Sequence, residues 1–197
     1  MNELETKAFV GDRLDLDAAM YGPMVDSIAQ EYPRIGQHSF RVITGKLGQK
    51  GHLEFYPPWE SENPSKSKLP TIEIRDQELE GEWLESAIAG DALHYLGAVD
   101  PRTEKPIDPK FRKMREEFFG TLTPEQLAVD RRVYAQEGDP RNFTDWMEGS
   151  RLDAYVRGYL FPDKNDEWRQ QEVYTPEQTT ILEKMRGYLK GAEADAP

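Results

Sequence analysis

Apolar residues recur every fourth position from Leu14 to Tyr32, at Leu16, Met20, Met24, Ile28 and Tyr32. That spacing is one face of an amphipathic helix. Gly22-Pro23 falls in its middle and predicts a break or a restart, because proline has no N–H to give the preceding turn. From Ser39 to Thr44 the chain turns β-branched and aromatic, which predicts a strand. The glycines at 45, 48 and 51 predict a turn, and His52 to Tyr56 alternates as a second strand, ended by Pro57-Pro58. Trp59 to Pro70 is polar and proline-bounded, as an exposed loop is. Thr71 to Arg75 alternates again, as a third strand. Asp76 is placed to cap a long helix from about Gln77 to Leu96, striped by Leu79, Trp83, Ala87, Ile88, Ala92 and Tyr95, with Gly97 at its end.

The second half carries only helical periodicity. Pro109 to Phe119 places Phe111, Met114, Arg115 and Phe118 on or near one face. Thr123-Pro124-Glu125-Gln126 and Thr175-Pro176-Glu177-Gln178 are the same capping box with proline at its first helical position. The residues after each differ, so the recurrence reads as one helix-start solution used twice rather than an internal repeat. Asn142 or Thr144 is a candidate cap for a helix through Trp146, Leu152, Tyr155 and Tyr159. The last helix carries Ile181, Leu182, Met185 and Leu189.

Strands gathered before one long helix, with helices after it, predict an α+β fold. The expectation is a short antiparallel sheet of about three strands (residues 39–75) on a central helix (about 77–96), then a mostly helical C-terminal half. It divides the chain into a loosely held arm at 1–13, an α+β region at 14–100, a helical region at 101–190 packed on it, and a tail at 191–197.

Composition narrows the chemistry. The chain of 197 residues has no cysteine, which removes disulfides, thiolate metal sites and cysteine nucleophiles. Its net charge is −12, and its Lys and Arg are scattered among more numerous acids, so a grip on phosphate backbones is not expected. No window approaches the length of an apolar membrane span, and the acidic start is no secretory leader. Gly45 to Gly51 lacks the spacing of a phosphate loop, and no Gly-x-Ser-x-Gly elbow occurs.

The chemistry that remains lies in Gly90-Asp91-Ala92-Leu93-His94-Tyr95-Leu96-Gly97-Ala98-Val99-Asp100. A zinc-peptidase helix sets a pair of histidines at i and i+4, with a glutamate after the first as general base. Here His94 stands at the second position, Asp91 at the glutamate and Gly90 at the first histidine. Gly97 and Asp100 keep the later spacing, a helix-ending glycine and then a third ligand. The segment from about 38 to 100 therefore resembles a degenerate zincin, of metzincin type, with one ligand lost. The resemblance implies a pseudo-metallopeptidase with no cofactor and no catalytic residue. The alternative it leaves open is a zinc hydrolase, with Asp91 as base and His94, Asp100 and either His38 or His52 as ligands.

In overall style the chain also resembles proteins of tailed-bacteriophage particles. That implies a non-catalytic structural or interaction protein of the virion, a head, neck, tail or internal component, with other protein subunits as partners in a symmetric assembly. The bacterial host cytoplasm is the alternative location. Pro57, Pro58, Trp59 and Phe161, aromatic and proline residues beside polar loops, are the candidate anchors for partners. A further reading is an acidic inhibitor or DNA mimic of a host enzyme, which needs a carboxylate stripe continuing Glu78, Glu80, Glu82 and Glu85.

Overall fold

The structure is a computed structural model, and it describes residues 9–10, 15–38, 40–44, 53–61, 68–74, 81–161 and 174–191. The fold is α+β, with a small sheet before the central helix and helices after it. Helix α1 runs from Asp15 to Glu31 and the short α2 from Pro33 to Gly36. Strands β1 (Phe9–Val10), β2 (Arg41–Thr44), β3 (Leu53–Tyr56) and β4 (Thr71–Ile74) form one sheet in the order β1-β2-β4-β3.

The sheet is mixed, which corrects the antiparallel expectation. β2 runs parallel to β1 and to β4, and only β3 is antiparallel to its neighbour. β2 and β3 are consecutive in the chain but lie on opposite edges of β4. β1 falls inside the segment read as a loose arm; its partner strand supplies the hydrogen bonds that a lone arm lacks. β4 alternates in sequence, yet all its residues are buried, Thr71 and Glu73 among them. A strand flanked on both edges and covered on both faces cannot leave its polar alternates in water. Glu73 is opposite Glu54 across the β3–β4 pair, and the Tyr56 hydroxyl donates to Glu54. That donor softens a like-charge pairing that would otherwise destabilise the ladder.

α1 does not break at Gly22-Pro23; Pro23 lies inside it. The helix restarts instead at Pro33, which opens α2 after Tyr32. Tyr32 is almost fully buried, and its hydroxyl donates to the Leu160 carbonyl at 3.2 Å, so tertiary contact fixes the corner.

Helix α3 (Gly81–Gly97) is apolar on nearly every side, and Leu84, Ile88, Leu93 and Leu96 are buried. Such a helix must be enclosed, and α1, α2, α4 and α7 all pack on it. The end at Gly97 matches the sequence expectation, whereas Asp76, Gln77 and Leu79 lie outside the described residues. A hairpin with strands of two residues each, β5 (Val99–Asp100) and β6 (Lys105–Pro106), then leads to α4 (Pro109–Gly120). Asp108 caps α4 by accepting from the backbone of Lys110 and Phe111.

α5 (Pro124–Glu137) and α8 (Pro176–Leu189) both start with a complete capping box. Between them α6 (Phe143–Trp146), capped by Asn142 rather than Thr144, passes through a π-helical turn, Met147–Arg151, into α7 (Leu152–Leu160). One cluster of buried side chains runs from Ile28 to Leu189 and crosses the expected division at residue 100. The loop residues 62–67, the turn at 45–51 and the tail from 192 lie outside the described residues.

Candidate functional site

The motif helix meets α7 and α4 along the side that carries Gly90, Asp91, His94 and Gly97. Both glycines serve as seats for arginines. A Cβ at Gly90 would stand 2.7 Å from Arg157 Cδ, and one at Gly97 would stand 1.7 Å from Arg115 Nη1. Arg157 comes from α7 and Arg115 from α4, so the absent Cβ atoms let their stems lie on the α3 backbone.

Between these arginines, His94 Nδ1 lies 2.7 Å from Asp153 Oδ2 on α7. A carboxylate only accepts, so the proton of this bond is on Nδ1. Arg115 Nη2 lies 2.8 Å from the other Asp153 oxygen, and both residues are buried. The same Nη2 donates to the Glu148 carbonyl at 2.7 Å. The π turn makes that carbonyl free. Leu152 N–H, which would reach Glu148 in an α-helix, bonds instead to the Met147 carbonyl one residue earlier. The irregular turn and the buried arginine are therefore parts of one arrangement.

Asp91 Oδ2 is shielded from solvent and has no hydrogen-bond partner, and the same holds of Asp153 Oδ1, which has only the ion pair with Arg115, and of Arg115 Nε. Burial pushes the Asp91 carboxyl from 3.8 up to about 7, although His94 and Arg157 pull the other way; Asp153 adds to the rise.

Two cavities open beside these groups, and His94 and Gly149 line both. One, about 270 Å³, is also lined by Phe55, Asp91, Asp153, Ala154 and Arg157. The other, about 260 Å³, has Phe119, Leu152, Gly97 and Ala98 as apolar wall. Its charged lining is Arg112, Arg115, Glu116, Asp145 and Glu148. Arg112 is engaged by Glu116 at 2.9 Å and donates to the Gly97 carbonyl.

Of the residues singled out from sequence, the structure brings Asp91 and His94 together in the lining of one cavity. Asp100 is engaged elsewhere. Arg102 holds both its oxygens, at 3.0 and 2.8 Å, and keeps its carboxyl below the usual range through those bonds. His38 packs edge-on against Tyr95, and burial lowers its pKa. His52 lies outside the described residues. Among the described residues no three His, Asp or Glu side chains come together as a metal-binding group. Asp91 does not bond to His94; Asp153 holds that place.

The candidate anchors have partners within the chain. Trp59 stacks on Tyr95 at 6.2 Å, with Arg102 over its ring. Phe161 packs on Tyr32 at 4.9 Å, and Pro57 and Pro58 are half-buried. Glu78 and Glu80 lie outside the described residues, as does the side chain of Glu82.

Sequence reasoning missed Asp153, Arg157 and Arg115 as parts of the site. A signal was present. Asp153 and Arg157 stand at i and i+4 on a helix whose Leu152, Tyr155, Val156 and Leu160 are core, and Arg115 stands beside Met114 and Phe118. A charge set in an apolar stripe must find a buried partner.

In comparisons with known proteins, no family model matches the chain, and neither a curated protein nor a solved structure matches it.

Proposed function

We propose that this chain is a non-catalytic structural or interaction protein, in which the place of a peptidase metal centre is taken by a buried polar network. The observation that carries the reading is the pair of arginines on Gly90 and Gly97. A zincin sets a metal ligand at the first of these positions. Here a guanidinium stem fills it, and a fixed positive charge beside the site opposes a divalent cation. His94 is bonded through Nδ1 to Asp153, and Asp100 to Arg102. The partners we infer are other protein subunits. The virion setting rests on resemblance in style alone.

The test is zinc titration of the purified protein by calorimetry, with His94→Ala alongside. The expected result is no stoichiometric zinc binding that depends on His94. One equivalent of zinc in the native chain, lost in the variant, overturns the reading and restores the hydrolase.

One observation favours a second reading, proton-transfer catalysis. Asp91, with its carboxyl raised to about 7, lies near a histidine oriented by Asp153, and such pairs serve as general acids and bases. A turnover that follows a pH profile near neutrality and vanishes in His94→Ala would select it.

A further inference from the structure

We infer that acid cuts this chain at one backbone bond, Asp108–Pro109, and that its two other Asp–Pro bonds are shielded by the arginine that follows each. The bond is a site of covalent modification and stands apart from the interaction reading above.

The chain has three Asp–Pro bonds, at 100–101, 108–109 and 139–140, and the residues that follow them are Arg102, Lys110 and Arg141. All three aspartates make the same turn. Oδ1 accepts from the backbone N–H two residues on, at 2.9 Å in Asp100, 3.1 Å in Asp108 and 2.8 Å in Asp139. What differs is the side chain at that second residue. Arg102 Nε and Nη2 grip the two Asp100 oxygens, at 3.0 and 2.8 Å. Arg141 repeats the fork on Asp139, at 2.9 and 2.6 Å. Lysine has no fork to offer. Lys110 Nζ lies instead 5.0 Å from the centre of the Tyr188 ring. In the described structure the donors to Asp108 are neutral: the Lys110 and Phe111 N–H groups and the Tyr188 hydroxyl.

An Asp–Pro bond breaks through its own side chain. The carboxyl, in its acid form, attacks the backbone carbonyl carbon of the same residue. A C–O bond forms, the C–N bond breaks, and the proline nitrogen leaves with the carboxyl proton. Water then opens the cyclic anhydride, giving a C-terminal aspartate and an N-terminal proline. A guanidinium fork opposes the step in two ways: it holds the carboxyl ionised, and it occupies both oxygens. The bonds from Arg141 lower the Asp139 carboxyl from 3.8 to about 2, and those from Arg102 lower that of Asp100. Tyr95 also faces Asp100, and Glu137 and Asp145 face Arg141. Around Asp108 stand His38 and Tyr188, with Arg34 and Lys110 over the Tyr188 ring.

The test holds the full chain at the lowest pH that keeps its native circular dichroism, and follows intact and cut masses after denaturation. Fragments 1–108 and 109–197 are expected, from a cut at least about tenfold faster than at either other Asp–Pro bond. Guanidinium chloride at the same pH removes the fold and its forks, and all three bonds should then be cut at comparable rates. Arg141→Lys is expected to speed the cut at Asp139–Pro140 at least about tenfold and to leave Asp100–Pro101 as it was. Arg102→Lys is expected to do the converse. Asp108→Asn keeps a helix cap but has no carboxyl to attack, and should abolish the cut at 108–109.

Three results overturn the inference. The first is a folded chain still intact at Asp108–Pro109 when the denatured chain has been cut at all three bonds. The second is a folded chain cut as fast, or faster, at either of the other bonds. The third is unchanged resistance of their own bonds in Arg141→Lys and Arg102→Lys, which assigns the protection to the backbone turn rather than to the fork.

Discussion

Two helix junctions in this molecule treat polar groups in opposite ways. Where α5 and α8 begin, each capping box closes its own backbone donors, and the glutamines of the boxes then bond to each other. Gln178 Nε2 lies 2.7 Å from Gln126 Oε1, and Gln126 Nε2 lies 3.1 Å from Gln178 Oε1. Gln178 is fully buried and also donates to the Thr121 carbonyl. Where α3 crosses α7, equally polar groups are buried beside a cavity, and Asp91 Oδ2, Asp153 Oδ1 and Arg115 Nε are left without hydrogen-bond partners. The first junction has the character of a structural joint, complete in itself. The second keeps its unmet demand beside a cavity. Completeness of hydrogen bonding separates them more clearly than charge or burial.

The sharpest way to break the comparison is at the joint. Gln178→Ala removes several buried bonds and strands Gln126, and should cost about 3 kcal/mol in denaturant unfolding. A double-mutant cycle with Gln126→Ala should return a coupling energy of about 1 kcal/mol. Strict additivity would show the glutamine pair to be incidental.

Next in size is Gly97→Ala. Its Cβ would meet the Arg115 guanidinium, which Asp153 and Glu148 hold in place, so a loss of about 2 kcal/mol is expected. At Gly90 the neighbour is the Arg157 stem rather than a pinned guanidinium, and alanine regains about 1 kcal/mol of helix propensity there. Gly90→Ala should therefore cost less than Gly97→Ala, and the reverse order would overturn the two-arginine description.

Asp91→Asn should move stability the other way, raising it by about 1 kcal/mol at pH 8. The sign follows from linkage. A carboxyl raised from 3.8 to about 7 contributes stability that is full below pH 3.8 and is lost as pH rises through about 7. The difference between variant and native chain should thus be largest at pH 8 and shrink on acidification toward pH 5. Burial of His38 acts oppositely, since its lowered pKa favours the folded state at higher pH. It is present in both chains and drops out of the difference. A pH-independent difference would mean that Asp91 does not titrate in this range.

The smallest effect belongs to Glu148→Gln, an exposed substitution expected to stay within about 0.5 kcal/mol in stability.

Local chemistry was readable before any coordinates. Thr-Pro-Glu-Gln is legible because a capping box is closed within a single turn. Gly97 at the end of α3 and the strands at 41–44, 53–56 and 71–74 are legible for the same reason: each depends on neighbours a few residues away. Pro23 misled because tertiary packing held a helix together across a residue that weakens it.

Pairing over long distances was not readable. Nothing in Phe9-Val10 specifies a parallel partner at Arg41-Val42. That Gln126 would find Gln178, 52 residues on, was equally invisible although the tetrapeptides are identical. Asp91 and His94 could be placed on one helix from the sequence, since both depend only on the helical repeat. The arginines that cover Gly90 and Gly97, and the aspartate that holds His94, come from helices α4 and α7. Sequence alone thus determined which helix carries the candidate chemistry. Only the tertiary structure decided which charges surround it, because Coulomb and hydrogen-bond partners are chosen by distance in space rather than along the chain.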